Sequence, residues 1–292
     1  MGTDRLAPFE AERGRLFGLA YRMLGEASAA EDIVQDAYLR WQNSDGVEVP
    51  AAWLTKVVTN LCLNRLTAAR ASREHYIGPW LPEPVFTDTG ELGPLETVEQ
   101  RDSLSLGMLV LLERLTPPER AAFVLHEAFA YSHREVADIL DLTETHVRQL
   151  YRRARAHVGD PRKRFTPNLE HRKRILERFL AAAMEGDVAG LERLLASDVA
   201  SWADGGGKAS AARRPVFGRD RVVRLLGGLA RHPILVEARL SIEAVNTEPA
   251  IVLRENGKLS YIIVPEISDD SVIALRTVAN PDKLAFAARQ LS

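Results

Sequence analysis

From Thr116 to His157 the chain reads TPPERAAFVLHEAFAYSHREVADILDLTETHVRQLYRRARAH. Two local signals set its register. Thr116-Pro117-Pro118-Glu119 offers an N-cap, a proline at the first helical position and a glutamate able to bond back to the cap, and Ser132-His133-Arg134-Glu135 repeats the capping-box pattern. Between Glu135 and Ala156 the apolar positions Val136, Ala137, Leu140, Leu142, Val147 and Leu150 have the spacing of a helix-turn-helix. Ala137 is small enough for two helices to cross closely. Asp141 falls where the chain must turn in the left-handed region, a place usually given to Gly but open to Asp. On the second helix, 100° per residue puts Val147, Leu150, Tyr151 and Ala154 on one side and Thr145, Arg148, Gln149, Arg152 and Arg153 on the other. That outward set suits duplex DNA: Thr, Gln and Arg reach base edges, the arginines neutralise phosphates, and Thr143 can cap the helix whose positive end faces the backbone.

Charge supports this reading once it is divided along the chain. The 292 residues carry a formal net charge of only −2, yet seven basic side chains (Arg148, Arg152, Arg153, Arg155, Arg162, Lys163, Arg164) stand between His146 and Thr166 against one acid, Asp160. Such a cluster suits a polyanion, the bland alternative being a solvated helix face. A content of 46% hydrophobic and 27% charged residues excludes disorder and collagen, and the length suggests two or three domains. No run of about eighteen apolar residues and no apolar signal core is present, so a soluble, unexported, cytoplasmic protein without a membrane contact is expected. With Cys62 as its single cysteine, the chain can form no internal disulfide and no multi-cysteine metal cluster.

Upstream lie more amphipathic helices. Leu16, Leu19, Ala20, Met23 and Leu24 fall at helical spacing, as do Ala30, Ile33, Val34, Ala37, Tyr38 and Trp41, and residues 53–70 form a third helix with Trp53, Leu54, Val57, Val58, Leu61 and Leu66 on its apolar side. Leu39 points away from the apolar face, between Gln35 and Asp36 and near Asp32. It is either an ordinary exposed leucine or the centre of a protein contact. Pro79, Pro82, Pro84 and the acidic run from Thr87 to Glu99 interrupt regular structure between about 76 and 100, which reads as a linker with an apolar centre, Tyr76 to Pro82.

Beyond residue 166, residues 171–196 read as two helices and 219–231 as another, followed by strands near 239–246, 250–255, 258–265 and 272–278. Asn256-Gly257 is a two-residue hairpin signal between alternating runs. The expectation is a curved antiparallel sheet with helices on one side. A catalytic tail would need a site. Asp204 could act as a base and Tyr261 as a donor, but no His lies on the strands and no metal-ligand set appears, so a loop acid and a strand aromatic are the simpler readings. Gly205-Gly206-Gly207-Lys208 lacks the glycine spacing of a phosphate-binding P-loop and reads as a tight turn able to touch another domain. Arg213 and Arg214 read as solvated.

Ala30-Glu31-Asp32-Ile33-Val34-Gln35-Asp36-Ala37-Tyr38-Leu39-Arg40-Trp41 resembles the region 2 signature of bacterial sigma factors, which binds the clamp helices of RNA polymerase. Trp53-Leu54-Thr55 with Asn60 and Arg65 resembles the adjoining promoter-melting segment, with Asn64 where an acid is common. Residues 101–158 resemble region 4, which reads the −35 element. The two-domain, short-linker form is similar to the extracytoplasmic-function group. Trp80-Leu81-Pro82-Glu83-Pro84, Asp204-Gly205-Gly206-Gly207-Lys208 and Asn280-Pro281-Asp282-Lys283-Leu284 together resemble the subgroup with a C-terminal SnoaL-like domain.

The resemblance implies a multidomain chain: region 2 over 1–75, a linker over 76–100, region 4 over 101–166, and an α+β SnoaL-like cone over 167–292. It implies a non-enzymatic transcription initiation factor, with no cofactor or metal and with core RNA polymerase and promoter DNA as partners. Asp32, Gln35, Asp36 and Leu39 would bind polymerase. The loop 43–50 and the face Lys56, Asn60, Leu63 and Thr67 would meet the −10 single strand, where a flipped base held in a pocket offsets the unstacking cost. Thr145, Arg148, Gln149, Arg152 and Arg153 would read the −35 duplex. Trp80 and Leu81 cannot fill a core of their own, so the C-terminal domain would act in cis by docking, through Trp80, Leu81, Pro82, the Asp204–Lys208 turn and the Asn280–Leu284 tail. The alternatives are a helix-turn-helix regulator that never touches polymerase, and a regulator or sigma factor whose SnoaL-like tail is an enzyme or senses a small-molecule ligand of unknown identity.

Overall fold

The computed structural model describes residues 6–73, 75–92, 98–159, 169–230 and 238–291. The chain divides into two compact units, one made of residues 1–74 and 87–160, the other of 75–86 and 161–292. The 76–100 stretch is therefore not one linker. Its first part belongs to the second unit, and its latter part includes a 3₁₀ turn at Thr87–Thr89 and the start of a helix at Val98. Arg162, Lys163, Arg164 and the boundary near 166 lie outside the described residues.

In the first unit α1 (Leu6–Leu24), α2 (Ala27–Gln42) and α3 (Pro50–Arg73) pack together, joined between α1 and α2 by Gly25 at φ 68°. Their buried faces are the ones the apolar spacing selects: Leu16, Leu19 and Met23, then Ile33, Val34 and Ala37, then Leu54, Val58 and Leu66. Five helices follow: α4 (Val98–Asp102), α5 (Leu106–Leu112), α6 (Pro117–Glu127), α7 (His133–Leu140) and α8 (Glu144–Val158). Both capping boxes form, Asp141 adopts φ 53°, ψ 44° at the end of α7, and the Thr143 side chain caps α8 by accepting from His146 N. α6 packs on α1 and α3, and α7 on α3. Two buried arginines sew this arrangement. Arg22, its pKa pushed down to about 9 by burial, donates to Ser103 Oγ (2.7 Å), Gly18 O (2.8 Å) and Gln100 O (2.8 Å). Arg120 donates to Met23 O (2.8 Å) and Glu113 (2.7 Å).

The second unit runs α9 (Leu169–Glu185), α10 (Val188–Leu194), β1 (Leu195–Asp204), β2 (Val216–Phe217), α11 (Arg219–Ala230), β3 (Ala238–Val245), β4 (Glu248–Glu255), β5 (Lys258–Ser268), β6 (Ser271–Val278) and α12 (Pro281–Gln290). The sheet order is β2-β1-β6-β5-β4-β3. Every pair is antiparallel except β1–β6, so the sheet is mixed rather than wholly antiparallel. The sequence reading placed no strand before residue 239 and ran a helix to 196, whereas Leu195 is already extended and opens β1. Because β1 and β6 are parallel, the chain crosses over between them through β2, α11 and the strands β3, β4 and β5. Asn256 and Gly257 both have positive φ (49° and 79°), as the type I′ hairpin requires. Register shifts in the β4–β5 and β5–β6 pairs bend the sheet. On one face Ile175, Leu176, Phe179, Leu191 and Val222 of the helices meet Ile251, Ile267, Val272 and Leu275. α12, headed by the Asn280 cap and Pro281, packs on β5 and buries Leu284, Phe286 and Ala287.

Candidate functional site

The exposed face of α2 carries Asp32, Gln35, Asp36 and Leu39, the last with 52% of its surface open, while Ile33, Val34, Ala37 and Trp41 of the same helix are buried. An apolar centre ringed by carboxylates and an amide is thus preformed on a rigid helix. Arg65 stands 3.9 Å from Asp32, an exposed pair, and its neighbour Asn64 supplies no acid.

On α3 Lys56, Asn60 and Leu63 are half-buried and Thr67 is exposed. Lys56 does not point freely outward. Its Nζ lies 2.5 Å from Asp141 and donates to Asp138 O (3.1 Å), so the helix-turn-helix contributes an acid and a carbonyl to the face read as contacting −10 DNA. Arg15 of α1 adds a second link, donating to Thr55 Oγ1 (2.6 Å) and Tyr131 Oη (3.2 Å). The partnership of Asp141 escaped the sequence reading, which used that residue only as a turn former.

Along α8 Thr145, Arg148, Gln149, Arg152 and Arg153 are all exposed while Val147, Leu150, Ala154 and Val158 are buried, the division that helical geometry demands. Arg148 is engaged by Glu144 (2.5 Å) and Arg153 by Glu119 (3.3 Å), both outward-facing cations. Beneath them His126 and His133 stack with centroids 4.4 Å apart, and the Tyr151 ring meets His126 at 4.6 Å. Burial, then the neighbouring His126, lowers the pKa of His133 below the ordinary histidine value.

The three motifs of the linker, the glycine-rich turn and the C-terminal tail converge inside the second unit. Asp204 is fully buried. Its carboxylate accepts from Tyr76 Oη (2.5 Å), Leu81 N (2.8 Å), Gly206 N (3.1 Å) and Lys283 Nζ (2.7 Å). Lys283 also donates to Leu81 O and lies 4.1 Å from the Trp80 ring centroid and 4.7 Å from that of Tyr76. Asn280 donates from Nδ2 to Tyr76 Oη (2.9 Å), and Lys208 pairs with Asp282 at 2.5 Å. Gly206 and Gly207 sit at positive φ, and a Cβ on Gly206 would fall 2.2 Å from the Asn280 amide. Leu81 to Phe86 are buried, and Val85 and Phe86 pair with Asn246 and Val245 at the end of β3. Burial, then the bond to Asp204, raises the Tyr76 pKa. Tyr261 has a separate partner, Ser210 O at 3.5 Å. No group of three or more His, Cys, Asp or Glu among the described residues could hold a metal ion, and no helix among them is long and apolar enough to cross a membrane.

A three-helix module with an exposed apolar–acidic face, followed by a capped helix-turn-helix with a cationic recognition helix, defines the class: a sigma-70-type promoter-recognition factor. Residues 9–72 match sigma-70 region 2 and residues 106–158 match sigma-70 region 4. More specifically, the chain belongs to the ECF RNA polymerase sigma factors, directing promoter recognition and transcription initiation. It is 40% identical to ECF RNA polymerase sigma factor SigJ of Mycobacterium tuberculosis, over 95% of this chain and 92% of that one. It is 28% identical to the probable ECF sigma factor SigI of the same organism, over 95% and 94%. The crystal structure of the M. tuberculosis SigJ superposes with a TM-score of 0.78 at 38% identity, covering 96% of this chain and 98% of that one.

Proposed function

We propose that this sigma factor binds core polymerase through Asp32, Gln35, Asp36 and Leu39, melts and holds the −10 strand with the 43–50 loop and the Lys56, Asn60, Leu63 and Thr67 face, and reads the −35 element with Thr145, Arg148, Gln149, Arg152 and Arg153. Its C-terminal domain regulates it in cis by gripping the segment that connects regions 2 and 4. The observation that carries this reading is the fully buried Asp204, where the linker, the glycine-rich turn and the tail meet. A carboxylate accepting from four donors is committed to structure, which favours a regulatory over a catalytic role for this domain. In the compact state Lys56 is spent on Asp141, so engaging −10 DNA requires that pair to open; it is exposed, and water and salt screen it.

Asp36→Ala combined with Leu39→Ala tests the polymerase face: native gel shift with core enzyme should show holoenzyme formation lost while circular dichroism stays unchanged, and undiminished assembly would refute the assignment. Trp80→Ala tests the grip. Transcription from a fixed promoter should change while holoenzyme still forms, and an unaltered output would leave the C-terminal domain without the proposed role.

A further inference from the structure

The second unit carries a basic face that neither the polymerase nor the promoter assignments use. Between residues 211 and 226 the sequence holds Arg213, Arg214, Arg219, Arg221 and Arg224 against the single acid Asp220, in a chain whose total charge is −2. Three of them, Arg219, Arg221 and Arg224, line one groove, and Arg213 and Arg214 lie on the loop just before β2. Arg213, Arg214, Arg221 and Arg224 are exposed, and a groove of about 520 Å³ runs past Ser197, Phe217, Arg219, Arg221 and Arg224, with Asp220 its one carboxylate. Phe217 is 55% exposed and stands edge-on to Trp202 at 6.0 Å, and the Arg276 guanidinium lies 5.5 Å from the Trp202 ring centroid. Arg213, Arg214 and Arg221 have no ion-pair partner among the described residues. Gly78 approaches the backbone of Arg213, and Ile77 lies against Gly207.

We infer that this face is a second DNA-binding surface, contacting the sugar-phosphate backbone of promoter duplex DNA without reading its sequence. Charge complementarity names the occupant. Exposed guanidiniums, Arg221 and Arg224 along an open groove and Arg213 and Arg214 on the loop before β2, suit successive phosphates, whereas a small anion would need a closed pocket with buried donors. DNA is held by the recognition helix of the same chain, so the effective concentration at this surface is high and even weak contacts are populated. An exposed aromatic among arginines can also lie against the sugar edge.

The test uses the full chain carrying Arg213→Gln, Arg214→Gln and Arg221→Gln, with fluorescence anisotropy on a labelled mixed-sequence DNA duplex across a salt series. Each phosphate contact removed should lower the slope of log affinity against log salt by about 0.9, so the triple variant should lose up to about 2.7 of slope and bind more weakly at low salt. The charge-preserving Arg→Lys triple should keep most of the slope, which separates lost contacts from misfolding. Equal slopes and affinities for the wild type and the Gln triple would overturn the inference. So would a change confined to binding of anionic phosphatidylglycerol vesicles. Arg148→Ala serves as the independent control: its effect on promoter preference reports the recognition helix, whatever the outcome at the second face.

Discussion

Lys56–Asp141 and Lys283–Asp204 are pairs of the same chemistry at nearly the same distance, 2.5 and 2.7 Å, in different surroundings. The Lys56 and Asp141 side chains are 40% and 72% exposed, those of Lys283 and Asp204 8% and 0%. In water the Coulomb gain of the first is screened and offset by side-chain entropy, so it contributes about 0–1 kcal/mol. The second has lost its solvation, and removing either partner strands a buried charge at a cost of about 3–5 kcal/mol. The first is therefore a weak latch that costs little to open, as the proposed role of Lys56 at the −10 strand requires. The second is a fixed joint that ties residues 76–81 to the rest of the second unit.

The largest effect should follow from breaking the joint. Asp204→Ala leaves Lys283 buried without its carboxylate and should destabilise the second unit by about 3–5 kcal/mol, read as an earlier urea transition in tryptophan fluorescence. Asp204→Leu with Lys283→Met should recover part of that loss, because an apolar pair leaves no stranded charge. Leu81→Ala, at a residue only 2% exposed beside the same cluster, should cost about 2–4 kcal/mol in that transition while leaving the charges intact.

Breaking the latch should move stability far less. Asp141→Gly removes the carboxylate but suits the left-handed backbone at this turn, so unfolding should shift by under about 1 kcal/mol. Affinity for a single-stranded −10 oligonucleotide should rise, and the difference from wild type should vanish at about 1 M salt, where the screening length falls to about 3 Å. A latch worth several kcal/mol would erase the contrast with the buried pair.

The smallest effect concerns pH. His133 holds a proton less readily in the fold than in the unfolded chain, so as pH falls below the ordinary histidine value of about 6.5 the unfolded state takes up the proton first. Stability is present above that pH and is lost as pH falls through the lowered folded value. The melting temperature of the first unit should drop modestly on acidification, and His133→Gln should flatten that drop.

The contrast between the two lysines also marks where sequence reading succeeded. The faces of α2 and α8 were legible because helical periodicity alone decides which side of an amphipathic helix is exposed, and Leu39 and Arg148 both follow it. Capping boxes fixed the starts of α6 and α7 because their bonds are local. The Asp204 cluster could be named as three motifs, but that they close on one buried carboxylate depends on residues 76, 81, 206, 280 and 283 meeting across more than a hundred positions. β1 was missed because Leu194-Leu195-Ala196 continues an apolar helical run, and its strand character comes from pairing with β6. α12 had a local signal in Asn280-Pro281 ahead of Leu284 and Phe286, which the reading of that stretch as a docking tail passed over. Asp141 served two ends, turn and ion pair, and only the first is local.

Hydrogen exchange of the full chain, alone and in holoenzyme with promoter DNA, tests the fixed joint and the latch together. The amides of Leu81, Val85 and Phe86, bonded to Asp204, Asn246 and Gln290, should keep their protection in all states, while α3 around Lys56 and the α7–α8 turn should change on forming the complex. Loss of protection at Leu81, Val85 and Phe86 with no change at α3 and the turn would contradict this account.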